Sequence, residues 1–228
     1  MSLDVRAFTV GPLQENAFIV RSDAAAGTAV MVDPGEEPER LLSAAQDLGV
    51  QIEAIILTHC HFDHIGAVAP LARATGAPVY CPEIERSVLT DVMRWVPPGF
   101  GPFESHEPEH TVAGGERLTL AGLEIEVLST PGHSPGHVTY AVPGALLSGD
   151  VLFQGSVGRV DLPGGDWSTL ERSIDGLLRG YAPETVVYPG HMGVTTLGRE
   201  RDTNPFLSEL RERVPGVASA SDASAAGS

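Results

Sequence analysis

Four metal-ligating side chains fall within six residues of this chain, as His59-x-His61-x-Asp63-His64. Imidazole and carboxylate are the ligands of borderline divalent metals such as Zn(II), Fe(II) and Mn(II). In an extended turn, residues 59 and 61 point the same way. Asp63 and His64, at the start of a following helix, reach a second point a few ångströms away. One short segment can therefore serve two adjacent metal ions. A chance surface cluster explains such a run poorly at a strand-to-helix junction. Cys60 alternates with His59 and His61, so its thiol is expected to point away from the metals and not to act as a nucleophile.

Three more ligand-type residues close apolar, strand-like runs. His133 follows residues 125–128 through Ser129-Thr130-Pro131-Gly132. Asp150 closes Leu146-Leu147-Ser148-Gly149, and His191 closes Val186-Val187-Tyr188-Pro189-Gly190. Singly, each could be an ordinary loop residue. Together with the first cluster they read as ligands delivered by loops from a rigid sheet, with small residues leaving room beside them.

The elements that must position these residues follow from patterning. Strands are expected over 5–10, 17–20 and 29–32, the last ended by Asp33-Pro34-Gly35. Leu41, Leu42, Ala45 and Leu48 have helical spacing over 38–48, with Gly49 as the stop. A buried strand over 54–57 runs into the histidine cluster. A helix over 63–76 and a strand over 77–80 follow. A helix is expected around 83–95, then a Pro/Gly loop (96–102) and an acidic stretch (104–110) whose His106 and His110 are expected to be solvated. Strands return over 118–120, 125–128, 137–142 and 145–148. Residues 167–179 read as a helix with Trp167, Leu170, Ile174, Leu177 and Leu178 on one side. A strand over 185–188 and a helix over 199–213 close the pattern. The expectation is one α/β domain over 1–213 and a disordered tail over 214–228.

Composition excludes several functions. The 228 residues carry 14 basic against 30 acidic side chains, a formal charge of −16. All the basic residues are arginine, and the chain has no lysine. Such a surface repels phosphate backbones and anionic lipid, so neither nucleic acid nor membrane is an expected partner. Lysine-dependent chemistry is excluded. No apolar run approaches the roughly 20 residues needed to span a bilayer. The N-terminus does not read as a signal peptide, and Cys60 and Cys81 do not make a disulfide framework. A cytoplasmic protein is expected.

The set His59-x-His61-x-Asp63-His64, His133, Asp150 and His191 resembles the metallo-β-lactamase superfamily of hydrolases. Within it, the chain is similar to the short glyoxalase II-like branch. Residues 10–16 (VGPLQEN), 32–35 (VDPG), 130–133 with 135–137, Gly149-Asp150, Gly158-Arg159, 189–191 (PGH), Glu200-Arg201 and Asn204-Pro205 carry that likeness. The resemblance implies an αββα sandwich with two divalent metal ions, zinc foremost and iron or manganese as alternatives, at one edge. By it, His59, His61 and His133 would hold the first ion, and Asp63, His64 and His191 the second, with Asp150 bridging. A metal-bridging hydroxide would then be the nucleophile, and Asp63 and Asp150 the carboxylates at the reacting centre.

Other residues surround this set. Asp33 could orient a ligand histidine through its second ring nitrogen, or simply end a strand. His137 could do the same or sit structurally in a strand. Arg159, on the loop Gly155-Ser156-Val157-Gly158-Arg159, is placed to meet a substrate carboxylate, with a salt bridge to Asp161 as the alternative. Trp95, Phe100 and Phe103 could wall a substrate cleft or pack in the core.

The leading expectation is thioester hydrolysis of a small hydroxyacyl-thiol. Well-studied glyoxalase II enzymes bind glutathione through basic residues that include lysines, so a different thiol carrier fits this chain as well. The alternative is an Fe(II)-dependent persulfide dioxygenase, which the resemblance associates with two histidines and one aspartate on a single iron. A β-lactam hydrolase fits less well with the cytoplasmic reading and the bridging Asp150. A nuclease conflicts with the charge, and a binding module would be expected to have lost ligands.

Overall fold

The computed structural model describes residues 2–208. The tail expected over 214–228, and the last part of the helix expected over 199–213, lie outside the described residues.

Two six-stranded sheets face each other. The first runs in chain order: β1 (Asp4–Val10), β2 (Glu15–Arg21), β3 (Thr28–Val32), β4 (Gln51–Ile56), β5 (Val79–Pro82) and β6 (His110–Val112). Its first three strands are antiparallel, and β3 to β6 are parallel. The second sheet contains β7 (Arg117–Leu120), β8 (Leu123–Ser129), β9 (Val138–Val142) and β10 (Ala145–Gly149). A small hairpin, β11 (Leu152–Phe153) and β12 (Ser156–Val157), precedes β13 (Val186–Pro189) and β14 (Thr195–Thr196), which complete the second sheet.

Helices α1 (Pro38–Asp47), α2 (Phe62–Ile65), α3 (Val68–Thr75) and α4 (Arg86–Leu89) belong to the first half, α5 (Trp167–Gly180) and α6 (Leu197–Thr203) to the second. Three apolar layers weld the parts. Leu41, Val68 and Leu71 pack against Ile55 and Val79. Phe18, Val30 and Ile56 meet Ile125, Val127 and Tyr140 between the sheets. Leu170, Ile174 and Leu177 pack against Leu146 and Val187. The result is the expected αββα sandwich in one domain.

Several elements differ from the sequence pattern. The helix expected over 63–76 is split into α2 and α3. Ala67 N–H donates to Pro34 O at 3.0 Å instead of continuing the helical ladder. A Cβ on Gly66 would strike the Gly35 carbonyl, so only glycine lets the Asp33–Gly35 turn press in there. The helix expected around 83–95 is a 3-10 turn (Glu83–Glu85), then α4, then a second 3-10 turn (Val92–Arg94). Ser105 Oγ takes the Val92 N–H at 3.1 Å and replaces the helical bond. Helix α6 starts at Leu197, capped by Thr196, and stops at Thr203 because Pro205 cannot extend it.

Trp167 opens α5 but is 39% exposed, while Leu170, Ile174 and Leu177 are buried. His110 is exposed, as expected, but it lies on β6 beside Tyr80. His106, expected to be solvated, is partly buried: its side chain is 19% exposed and sits 3.4 Å from Glu109.

Candidate metal centre

Topology brings the ligand-type residues to one edge. Strand β10 is parallel to β13, and both β8 and β10 are antiparallel to β9, so β8, β10 and β13 all end on the same side. Strand β4 delivers the histidine cluster to the same place. There the sheets are tied by Tyr140 Oη donating to Leu57 O and Val138 N–H donating to Thr58 O, both at 2.8 Å. Ligands at the carboxyl ends of strands thus sit on a rigid base.

His59, His61 and His133 form one group. His59 Nε2 lies 3.1 Å from His61 Nδ1, which lies 2.8 Å from His133 Nε2. Tetrahedral zinc with Zn–N bonds of about 2.0–2.1 Å spaces its nitrogens by about 3.3 Å, so these three fit one ion. Asp63, His64 and His191 form a second group, with His191 Nε2 3.3 Å from Asp63 Oδ2. Asp150 stands between the groups. Its Oδ2 is 3.4 Å from His133 Nε2 and 3.6 Å from His191 Nε2, and its Oδ1 is 3.5 Å from His64 Nε2. His64 Nε2 and Asp150 Oδ1 are buried and have no hydrogen-bond partner among the described residues. Two orphaned buried atoms aimed at one point fit a cation there.

Neighbouring groups fix which nitrogen of each ring is bare. His133 Nδ1 must donate to the Arg159 carbonyl at 2.8 Å, which leaves Nε2 free. Thr58 gives its one hydroxyl proton to Asp33 Oδ2 at 2.5 Å, so it accepts from His59 Nδ1 at 3.0 Å. His64 Nδ1 faces Asp33 Oδ2 at 3.1 Å. Asp33 therefore orients His64 directly and His59 through Thr58. Its backbone is left-handed, at φ 46°, and its other oxygen takes the Thr58 N–H at 2.7 Å. His137 Nε2 accepts the Asp150 N–H at 3.1 Å, so its Nδ1 donates to Thr130 Oγ1 at 3.0 Å. His137 thus holds the backbone of Asp150.

Electrostatics sort the rings. Burial, reinforced by neighbouring imidazoles, pushes His59 well below its ordinary range and His61 down to about 4. Both are neutral, lone-pair donors at neutral pH. Burial would lower His64 too, but the charges of Asp150 and Asp63 outweigh it and raise it. Burial would raise Asp150, yet His64, His133 and His191 hold it well below the usual carboxylate range.

The remaining expected residues are placed as follows. Arg159 makes a bidentate pair with Asp161 at 2.7 and 2.8 Å and is exposed. The Cys60 thiol is buried 3.5 Å from the unbonded Cys81 thiol, away from the imidazoles, and burial raises it well above the usual thiol range. Phe100 packs on Phe62, next to His61, with ring centroids 4.8 Å apart. Phe103 joins the first core layer, and Trp95 is exposed beneath Arg94.

Sequence patterning missed several supporting groups. Asn16 ties down the His191 loop: its N–H donates to Gly190 O at 2.7 Å, and its Nδ2 to Pro189 O at 3.1 Å and Met192 O at 2.9 Å. Gly190 itself admits no side chain, because a Cβ would strike Asp150 Oδ1. Buried Glu200 takes the Gly155 N–H at 2.7 Å and the Thr195 hydroxyl at 2.5 Å, joining the hairpin after Asp150 to the strand after His191. Thr58 and Glu85 had no local signal at all. Asn16 and the pair Glu200…Asn204 were visible within motifs but not as supports.

Residues 10–191 match the sequence profile of the Metallo-beta-lactamase superfamily. Hydroxyacylglutathione hydrolase GloC of Haemophilus influenzae is 32% identical over 211 residues, 90% of this chain and 99% of that protein. The crystal structure of BLEG-1, a B3 metallo-β-lactamase, is 38% identical with a TM-score of 0.84, covering 90% of this chain and all of that one (100%). The di-iron-bound form of TTHA1623 is 44% identical with a TM-score of 0.73, covering 89% of this chain and 100% of that one.

Proposed function

The chain belongs to the metallo-β-lactamase superfamily, and from that premise we propose that it is a metal-dependent thioester hydrolase acting on a small hydroxyacyl-thiol. The observation that carries this reading is the meeting of two ligand groups on Asp150. His59, His61 and His133 would hold one divalent cation, and Asp63, His64 and His191 a second, with Asp150 shared. Cations bound there polarise a scissile carbonyl and lower the pKa of water toward neutrality. Asp33 and Thr58 keep the His59 and His64 lone pairs turned inward. Asp150 and Asp63 offer carboxylate oxygens beside the reacting centre. Metal content and O₂ uptake separate the hydrolase from a single-iron dioxygenase.

The similarity to GloC supports a thioester substrate, and the likeness to the di-iron form of TTHA1623 leaves iron beside zinc as the native metal. The charge of −16 favours a small molecule over nucleic acid, and the absence of lysine favours a carrier recognised without an ammonium group. No helix among the described residues is long and apolar enough to cross a membrane. A second reading, β-lactam hydrolysis, is favoured by the likeness to BLEG-1.

Metal analysis of the purified protein with three assays tests these readings. They are lactoyl-thioester hydrolysis, persulfide-dependent O₂ uptake and hydrolysis of a chromogenic cephalosporin. Two metal equivalents with thioester turnover well above the other two are expected. O₂ uptake with a single iron, or cephalosporin turnover without thioester turnover, would overturn the thioesterase.

A further inference from the structure

Glu85 is a buried carboxylate, 5% exposed, at the end of a 3-10 turn outside the candidate ligand set. Its Oε2 accepts the Cys60 N–H at 2.6 Å. That amide lies inside the histidine cluster, between His59 and His61. Its Oε1 accepts the Ser134 hydroxyl at 2.5 Å and the Gly136 N–H at 2.9 Å. Ser134 directly follows His133. One carboxylate therefore joins the two loops that supply all three histidines of the first group.

Its partners are all neutral. No arginine pairs with Glu85 among the described residues, whose ion pairs lie elsewhere. A buried carboxylate with only neutral donors lacks a counter-charge. The first group supplies three imidazoles and only a share of Asp150, whereas the second also contains Asp63. A cation at the three histidines would supply the charge that Glu85 lacks.

We propose that Glu85 is a positioning residue for the three-histidine group: it locks the two loops in register and lends negative charge to the cation held there. The inference rests on the two-metal reading above. It makes the affinity of one cation depend on a residue that touches neither cation nor substrate.

The test compares wild type, Glu85→Gln and Ser134→Ala, each stripped and titrated with zinc against a chromophoric chelator. Circular dichroism and the Tm of the metal-free protein report the fold. Glu85→Gln keeps the size of the side chain but removes its charge and one acceptor. One of the two zinc equivalents is expected to weaken by about ten- to a hundredfold, the usual cost of losing such a partner, with the other unchanged. Ser134→Ala is expected to weaken the same equivalent by less. Wild-type affinity for both equivalents in Glu85→Gln would overturn the proposal, as would equal weakening of both, which marks a general loosening. Should Glu85→Gln not fold, Ser134→Ala decides alone, and unchanged affinities there overturn it. A wild type that binds no zinc, iron or manganese would instead sink the two-metal reading beneath it.

Discussion

Asp33 Oδ2 lies 3.1 Å from His64 Nδ1, and the same oxygen takes the Thr58 proton that obliges His59 to present its Nε2. One carboxylate at the end of β3 therefore governs a histidine in each ligand group. Asp33→Asn is expected to weaken both metal equivalents by about ten- to a hundredfold. Thr58→Val acts only through His59 and is expected to weaken one. Chelator competition reads both, and a single weakened equivalent in Asp33→Asn would contradict the shared role.

His61 has no counterpart that could replace it between His59 and His133. His61→Ala is expected to abolish turnover and most bound metal, while circular dichroism shows a folded chain. Full turnover by this variant would sink the metal mechanism.

His61 contributes to the pH dependence of the metal-free protein: its ordinary 6.5 is pushed down to about 4 by burial and by His133 and His64. Between those values the unfolded chain binds a proton that the folded chain refuses, so stability falls as pH drops from 6.5 to 4. Below the lower value both states are protonated and the contribution no longer changes. Across that window the Tm of the wild type should fall faster than that of His61→Asn. Parallel curves would show that the ring titrates normally in the fold.

Arg159 is exposed and paired with Asp161, so it is free to exchange that partner for a substrate carboxylate. Arg159→Ala is expected to raise KM for an acidic thioester by about tenfold, the worth of one charge-assisted pair, with kcat nearly unchanged. Unchanged kinetics would confine the guanidinium to its salt bridge and leave only its backbone carbonyl, which holds His133, with a part in the site.

Leu170 is fully buried where α5 meets the second sheet, and the Gly132 turn before His133 rests directly on it. Leu170→Ala is expected to cost about 2–5 kcal/mol of stability in urea unfolding. A loss below about 1 kcal/mol would mean that this helix is poorly packed against the sheet.

The ligand-type residues were legible because their chemistry is written in residue type and short spacing, and each follows an apolar run that became a strand. The sandwich was legible from the alternation of such runs with helical patterns. What stayed hidden depends on partners far apart in the chain. Glu85 reaches residues 25, 49 and 51 positions away, and nothing in its neighbourhood marks it. The break between α2 and α3 is imposed by the Pro34 carbonyl, which no local propensity reveals. Short edge pieces such as β14 exist only because β13 offers them a ladder.

The loops that build the site are spread from His59 to His191, and the last of them is held by Asn16 at the opposite end of the chain. During synthesis at about 5–20 residues per second, His191 emerges on the order of ten seconds after His59. Through that interval the segment His59–His64 has no His191 to complete the second group. Completion of the second ligand group, which needs His191, therefore comes late in synthesis, with the closing of the second sheet, and a chain truncated before β13 would keep only the first group complete.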